Sequence, residues 1–264
     1  MAISPCPAEF APLLFAGDWV AAVDTAVELG YDAIEMSVRD PEDAAVTSCD
    51  AGLRRRGLHL SAIATGQSFY SDGWSLTAED SRVQALLDQR MHRIIDLAAP
   101  WEALVVIGGV RGKLTGSERD RVDQYRRVIE AVRRYAEYAL PRNVSLVVEP
   151  INRYETNLLN TIDEALRFID EVDMENLGIL ADTFHMNIEE VSLAESLRSA
   201  GERVLHAQFT DSNRRAAGQG HIDFEKLADV LREVDYRGYL STETLPFPDS
   251  RTAAEQAIEF FRTL

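Results

Sequence analysis

The chain has 264 residues and a formal charge of −17, from 27 lysines and arginines against 44 aspartates and glutamates. That acidity argues against nucleic acid, which needs a basic face, and against anionic membrane surfaces. Cys6 and Cys49 are the only cysteines, so free thiols in a reducing compartment are expected rather than a disulfide framework.

The first residues carry no basic region ahead of an apolar core, and no apolar run approaches a membrane span; both point to a soluble, cytoplasmic protein. A short opening strand fits residues 2–4. The loop 9–17 after it is unusually apolar, suited to plugging the core or walling a pocket, with Phe15 the more buried. From Asp18 the pattern turns helical, with Val20, Val23 and Val27 on one face and Gly30 placed to end the helix. A strand at 32–36 brings Glu35 near its end. A helix at 41–55, a strand at 59–64 and a loop at 65–74 follow.

A long helix is expected over 79–98, with Val83, Leu86, Leu87, Met91, Ile94 and Ile95 as its apolar stripe. The strand 104–107 leads into a glycine-flanked turn holding Arg111, and a helix spans 120–140. The run 145–148 is apolar without alternation, as in a strand buried on both faces. It reaches Glu149, and Pro150 cannot continue a ladder. Thr161 caps the next helix, with Glu164 in capping-box spacing. Further strands end on Asp182, Gln208 and Glu243, with helices at 192–200, 224–234 and 250–263. Eight alternating strand–helix units with short connections predict one domain over 1–264, a (β/α)₈ TIM barrel whose C-terminal strand ends carry the chemistry. An open doubly wound sheet is the alternative, but no glycine-rich nucleotide loop follows the first strand.

A strand-end carboxylate taken alone is more often a helix cap or an ion-pair partner than a ligand. Four oxygen donors at successive strand ends, Glu149, Asp182, Gln208 and Glu243, point instead to one hard site suited to Mn²⁺ or Mg²⁺. His185 taken alone would pack at a helix start as readily as it would act; its position three residues after Asp182 favours function. His206 alternates with Gln208 and should face the same way, as a substrate contact or as a core histidine. Arg111 could hold a phosphate or carboxylate, or pair with Glu35. The turn 218–220 could also host a phosphate. Phe69, Tyr70, Trp74 and Phe247 lie in loops at the active end, where they would floor a sugar pocket or pack the loops.

The stretches Glu149-Pro150-Ile151-Asn152-Arg153-Tyr154-Glu155, Asp182-Thr183-Phe184-His185, Asp211-Ser212-Asn213-Arg214 and Gly218-Gln219-Gly220-His221-Ile222-Asp223 resemble the xylose isomerase-like barrels, a family of sugar and sugar-phosphate isomerases and epimerases. The resemblance covers nearly the whole chain. It implies a metal held by Glu149, Asp182, Gln208 and Glu243, with Co²⁺ a further candidate ion, and substrate contacts from Glu155, His185 and Arg214. Ketose 3-epimerases carry histidine where this chain has Gln208; hydroxypyruvate isomerases of the family use glutamine there. The same fold hosts zinc-dependent DNA-repair endonucleases, but five histidines and the acidic charge argue against that branch.

The implied reaction is isomerisation or epimerisation of a small sugar or sugar acid through a metal-stabilised enediolate, with Glu149 and Glu243 exchanging protons with the substrate. The substrate is expected to lack phosphate, and the assembly to be a homodimer or homotetramer. A lyase or dehydratase on the same site, or a non-catalytic carbohydrate-binding subunit, are the alternatives.

Overall fold

The computed structural model describes residues 1–8 and 12–264. The short apolar runs form eight strands: β1 (Ala2–Ile3), β2 (Ala33–Ser37), β3 (His59–Ala64), β4 (Leu104–Ile107), β5 (Leu146–Val148), β6 (Leu177–Asp182), β7 (Val204–Gln208) and β8 (Leu240–Ser241). Each pairs in parallel with the next. The Ala2 amide donates to the Thr242 carbonyl at 2.9 Å, which brings β8 back to β1. The result is the barrel that the alternating pattern predicted.

The unalternating strands are explained by two apolar layers. Leu146 and Val148 face outward into the large core under the helices, whereas Val147 faces inward with Ala62, Val106 and Leu180. The barrel interior is therefore apolar along β3 to β6. Across from it, β2, β7 and β8 present Glu35, His206, Gln208 and Ser241, all buried.

Helix ends follow local chemistry. Asp18 caps Trp19–Leu29 by accepting from the Ala21 amide, and Gly30 ends it in a left-handed conformation. The buried face of this helix differs from the expected one: Val20 and Val27 are 48% and 41% exposed, and Ala22, Val23 and Ala26 face the core. Alanines four residues apart let the helix lie close to its neighbours, which a valine stripe would prevent. Ser117 and Asp120 form a capping box that starts the helix Glu118–Ala139 earlier than periodicity suggested.

Two short helices were not foreseen. Gln67–Tyr70 lies inside the loop after β3, and Thr183–Glu189 starts directly at the end of β6. Of the apolar loop near the N-terminus, Glu9, Phe10 and Ala11 lie outside the described residues. Leu13 and Leu14 are buried, and Phe15 packs half-buried against the core. Among the described residues, no helix is long and apolar enough to cross a membrane.

Candidate metal and substrate site

The site begins where β5 and β6 stop. Glu149 follows β5, and its carboxylate occupies space left by a missing side chain: a Cβ on Gly108 would collide with Glu149 Oε2. Asp182 ends β6 and divides its two oxygens. Oδ1 caps the following helix by accepting from the Phe184 amide at 2.8 Å, while Oδ2 is buried with no hydrogen-bond partner among the described residues. Gln208 pairs in register with Asp182 on the neighbouring strand, and its Oε1 is also a buried acceptor without a partner among the described residues. Buried polar atoms are nearly always satisfied, so two orphaned acceptors on adjacent strand ends are open to a cation or an ordered water.

A carboxylate oxygen of Glu149, one of Asp182 and a ring nitrogen of His185 lie within 4.8 Å of one another. Burial raises the Glu149 carboxyl well above the usual range, and the charges of Glu243 and Asp182 push it further. Burial likewise lifts Asp182 to about 7. It lifts Glu243 to about 8 even though Arg214 opposes the shift. Three buried carboxyl groups that disfavour their own ionisation would be relieved by a divalent cation. The orphaned oxygens and the oxygen-rich donor set fit a hard ion such as Mg²⁺ or Mn²⁺.

His185 is poised differently. Its Nδ1 lies 2.8 Å from Asn152 Nδ2, and its Nε2 lies 3.6 Å from Glu149 Oε1 and 3.7 Å from Asp182 Oδ2. Asn152 Oδ1 accepts from the Tyr154 amide, so its Nδ2 is the end that donates, to Glu155 Oε1 at 3.0 Å and to His185. Nδ1 is thereby the acceptor, and the ring keeps its hydrogen on Nε2. Burial holds the imidazole well below its ordinary pKa, hence neutral. His185 thus presents an N–H donor to the cluster. Asn152 was not singled out from the sequence; its position three residues before Glu155 was the only available signal.

These groups open into a small pocket lined by Tyr70, Glu149, Glu155, His185, Arg214 and Glu243 among others. Arg214 sits in a left-handed turn (φ +60°), and the Thr244 hydroxyl and Leu245 amide both bond to its carbonyl. A bulky residue holds such a conformation only when its surroundings impose it. The turn aims the guanidinium at Glu155 Oε1 (2.9 Å) and Glu243 Oε2 (3.5 Å), over the Phe184 ring.

Other expected residues are placed elsewhere. Arg111 is 1% exposed and donates to the main-chain carbonyls of Ile107, Glu149 and Leu158. It neither lines the cavity nor pairs with Glu35, because the turn after β4 points it at the carbonyls that end β4 and β5. His206 is fully buried, with Nε2 3.0 Å from Glu35 Oε2. Glu35 also accepts from Gln208 Nε2 at 2.8 Å and from Ser241 Oγ at 2.8 Å. Burial alone would raise the Glu35 carboxyl, but His206 and Ser241 outweigh it and hold it below the ordinary value. In the turn 218–220, the Gly220 amide already donates to Asp211 Oδ2 at 2.7 Å, so a carboxylate of the chain occupies the expected phosphate position. Of the loop aromatics only Tyr70 lines the cavity; Trp74 lies under Arg90 and Phe247 under Arg215.

A family model of the xylose isomerase-like TIM barrel matches residues 23–264. An L-ribulose 3-epimerase of Methylomonas sp. (strain DH-1) is 33% identical over 88% of this chain and 82% of its own length. A 3-dehydro-D-guloside 4-epimerase of Escherichia coli (strain K12) is 28% identical over 89% of this chain and 91% of its own. Among solved structures, a D-allulose 3-epimerase from Methylomonas sp. in complex with D-allulose superposes with a TM-score of 0.83 at 25% identity, covering 99% of this chain and 96% of that one. These relatives are sugar epimerases, and this chain belongs to the xylose isomerase-like TIM barrel family.

Proposed function

We propose that this protein is a divalent-metal-dependent epimerase of a small, unphosphorylated ketose, inverting a carbon next to the ketone. The observation that carries it is the set of strand-end oxygens, Glu149, Asp182, Gln208 and Glu243, two of them with orphaned buried acceptors, beside a cavity with its own donors. The relatives' names support the reaction class: a ribulose 3-epimerase and a 3-dehydroguloside 4-epimerase both invert a carbon adjacent to a ketone. The Asp211 carboxylate, which accepts from the Gly220 amide of the turn 218–220, supports a substrate without phosphate.

In this reading the four strand-end residues hold one cation, Mn²⁺ or Mg²⁺. When bound, it supplies Lewis-acid stabilisation of the negative charge that develops on the sugar's oxygens. Glu149 and Glu243 approach the substrate from β5 and β8, on different sides of the barrel mouth. One removes the proton from the carbon beside the ketone, and the other delivers a proton to the opposite face, which is what inversion requires. His185, donating from Nε2, and Arg214 hold substrate oxygens. Glu155, anchored by Asn152 and Arg214, accepts from a hydroxyl. Tyr70 closes the wall.

Gln208 favours a second reading, 1,2-isomerisation of a hydroxy-keto acid, as in the hydroxypyruvate isomerases that share the glutamine. One base then suffices, because the proton can stay on one face. Incubation of the Mn²⁺-loaded protein in D₂O with ketoses, aldoses and keto acids, followed by NMR, tests both. Deuterium at C3 of a ketose with appearance of its C3 epimer is expected; exchange at the hydroxymethyl carbon of a hydroxy-keto acid, with an aldehyde product, would select the isomerase. Full turnover in excess EDTA, or no exchange in any compound despite bound Mn²⁺, overturns the proposal.

A further inference from the structure

We infer that Glu35 is a positioning residue that fixes which end of the Gln208 amide faces the cation, a role that rests on the metal-site reading above. A primary amide has two ends of nearly equal size, one an acceptor and one a donor. Shape alone does not choose between them. The choice matters, because a carbonyl oxygen binds a cation and an NH₂ group repels it.

The carboxylate of Glu35 offers only acceptors. His206 Nε2 (3.0 Å) and Ser241 Oγ (2.8 Å) both meet its Oε2, which leaves Oε1 for Gln208 Nε2 at 2.8 Å. Gln208 Oε1 is then the remaining end, a buried acceptor with no partner among the described residues, on the strand that pairs Gln208 with Asp182. A flipped amide would set its carbonyl against a carboxylate and its NH₂ toward the cation, which is unfavourable at both ends. Glu35 does not line the cavity, so it acts through Gln208 and not on the substrate. Order thus passes from Ser241 and His206 to Glu35, and from Glu35 to the amide. Ligands of metals are commonly held in this way by a hydrogen-bonded neighbour.

The test is a double-mutant cycle read by Mn²⁺ affinity, with free Mn²⁺ followed by EPR in titrations of the full chain. Glu35→Gln keeps size but places an NH₂ among donors, freeing the amide to turn. It should weaken Mn²⁺ binding about 10- to 100-fold. In a Gln208→Leu background the same change should alter affinity by no more than about 2-fold, since no amide remains to orient. Equal weakening in both backgrounds, or none in the wild-type background, overturns the inference while leaving the metal site standing. A wild-type protein that binds no Mn²⁺ overturns the metal-site reading and this inference with it. If Glu35→Gln does not fold, Ser241→Ala runs through the same cycle: a weakening that disappears in Gln208→Leu supports the role, and one that persists overturns it.

Discussion

Two groups of buried carboxylates share the barrel interior and behave in opposite ways. Glu35 is held below the usual carboxylate pKa, while Glu149, Asp182 and Glu243 are pushed above it. All four are buried, so burial is not the difference. Glu35 receives three side-chain donors, whereas the other three repel one another, with Arg214 and Arg111 as the cations beside them. A compensated buried carboxylate is part of the structure; a group of mutually repelling ones is a candidate for binding or catalysis.

The largest effect that sharpens this contrast is on activity. Glu149→Gln should lower turnover roughly 10³-fold, about 4 kcal/mol of transition-state stabilisation. The metal-free protein should be no less stable by urea titration, since one of three mutually repelling carboxylates is gone. A loss of several kcal/mol in that titration would erase the distinction. Glu35→Ala should show the stability loss that Glu149→Gln lacks. It leaves donors on His206, Gln208 and Ser241 unpaired, at a cost of about 3 kcal/mol or more in unfolding free energy.

Gly108→Ala separates position from charge. The new methyl meets the mobile end of Glu149 and no main chain, so the carboxylate should move while the fold holds. Activity should fall about 10- to 100-fold, with a stability change near 1 kcal/mol. Activity close to wild type would show that Glu149 need not occupy this position.

The smallest effect concerns Asp72, a compensated carboxylate near the surface. Burial would raise it, but Arg39 and Arg90 outweigh that and hold it below its ordinary 3.8. A carboxyl depressed on folding stabilises above its unfolded pKa, and that contribution is lost as pH falls through the folded value. Asp72→Asn should therefore cost about 1 kcal/mol at pH 7 and nothing once acid has protonated the wild-type group. A difference that persists in acid would refute the ion-pair account.

Much of the candidate site was legible because strand ends are legible. Glu149 precedes Pro150, and Asp182, Gln208 and Glu243 each close a short apolar run; parallel strands in a barrel bring such ends together. Arg111 was not legible. Its neighbours in sequence say that it sits in a tight turn, but not that the turn aims it at three carbonyls. Asn152 was equally hidden, since its bond to His185 joins residues 33 positions apart.

The order of strands and helices, the caps at Asp18 and Thr161, and the donors gathered at the barrel mouth were set by the chain's own pattern, because period, capping and turn chemistry are local. Only the tertiary structure decided which buried polar groups are satisfied. Glu35 finds His206 and Ser241 across separations of 171 and 206 residues, so its partners exist only once the barrel closes. Compensation of charge in a low-dielectric interior depends on distances of a few ångströms between remote strands, and spacing along the chain does not encode them.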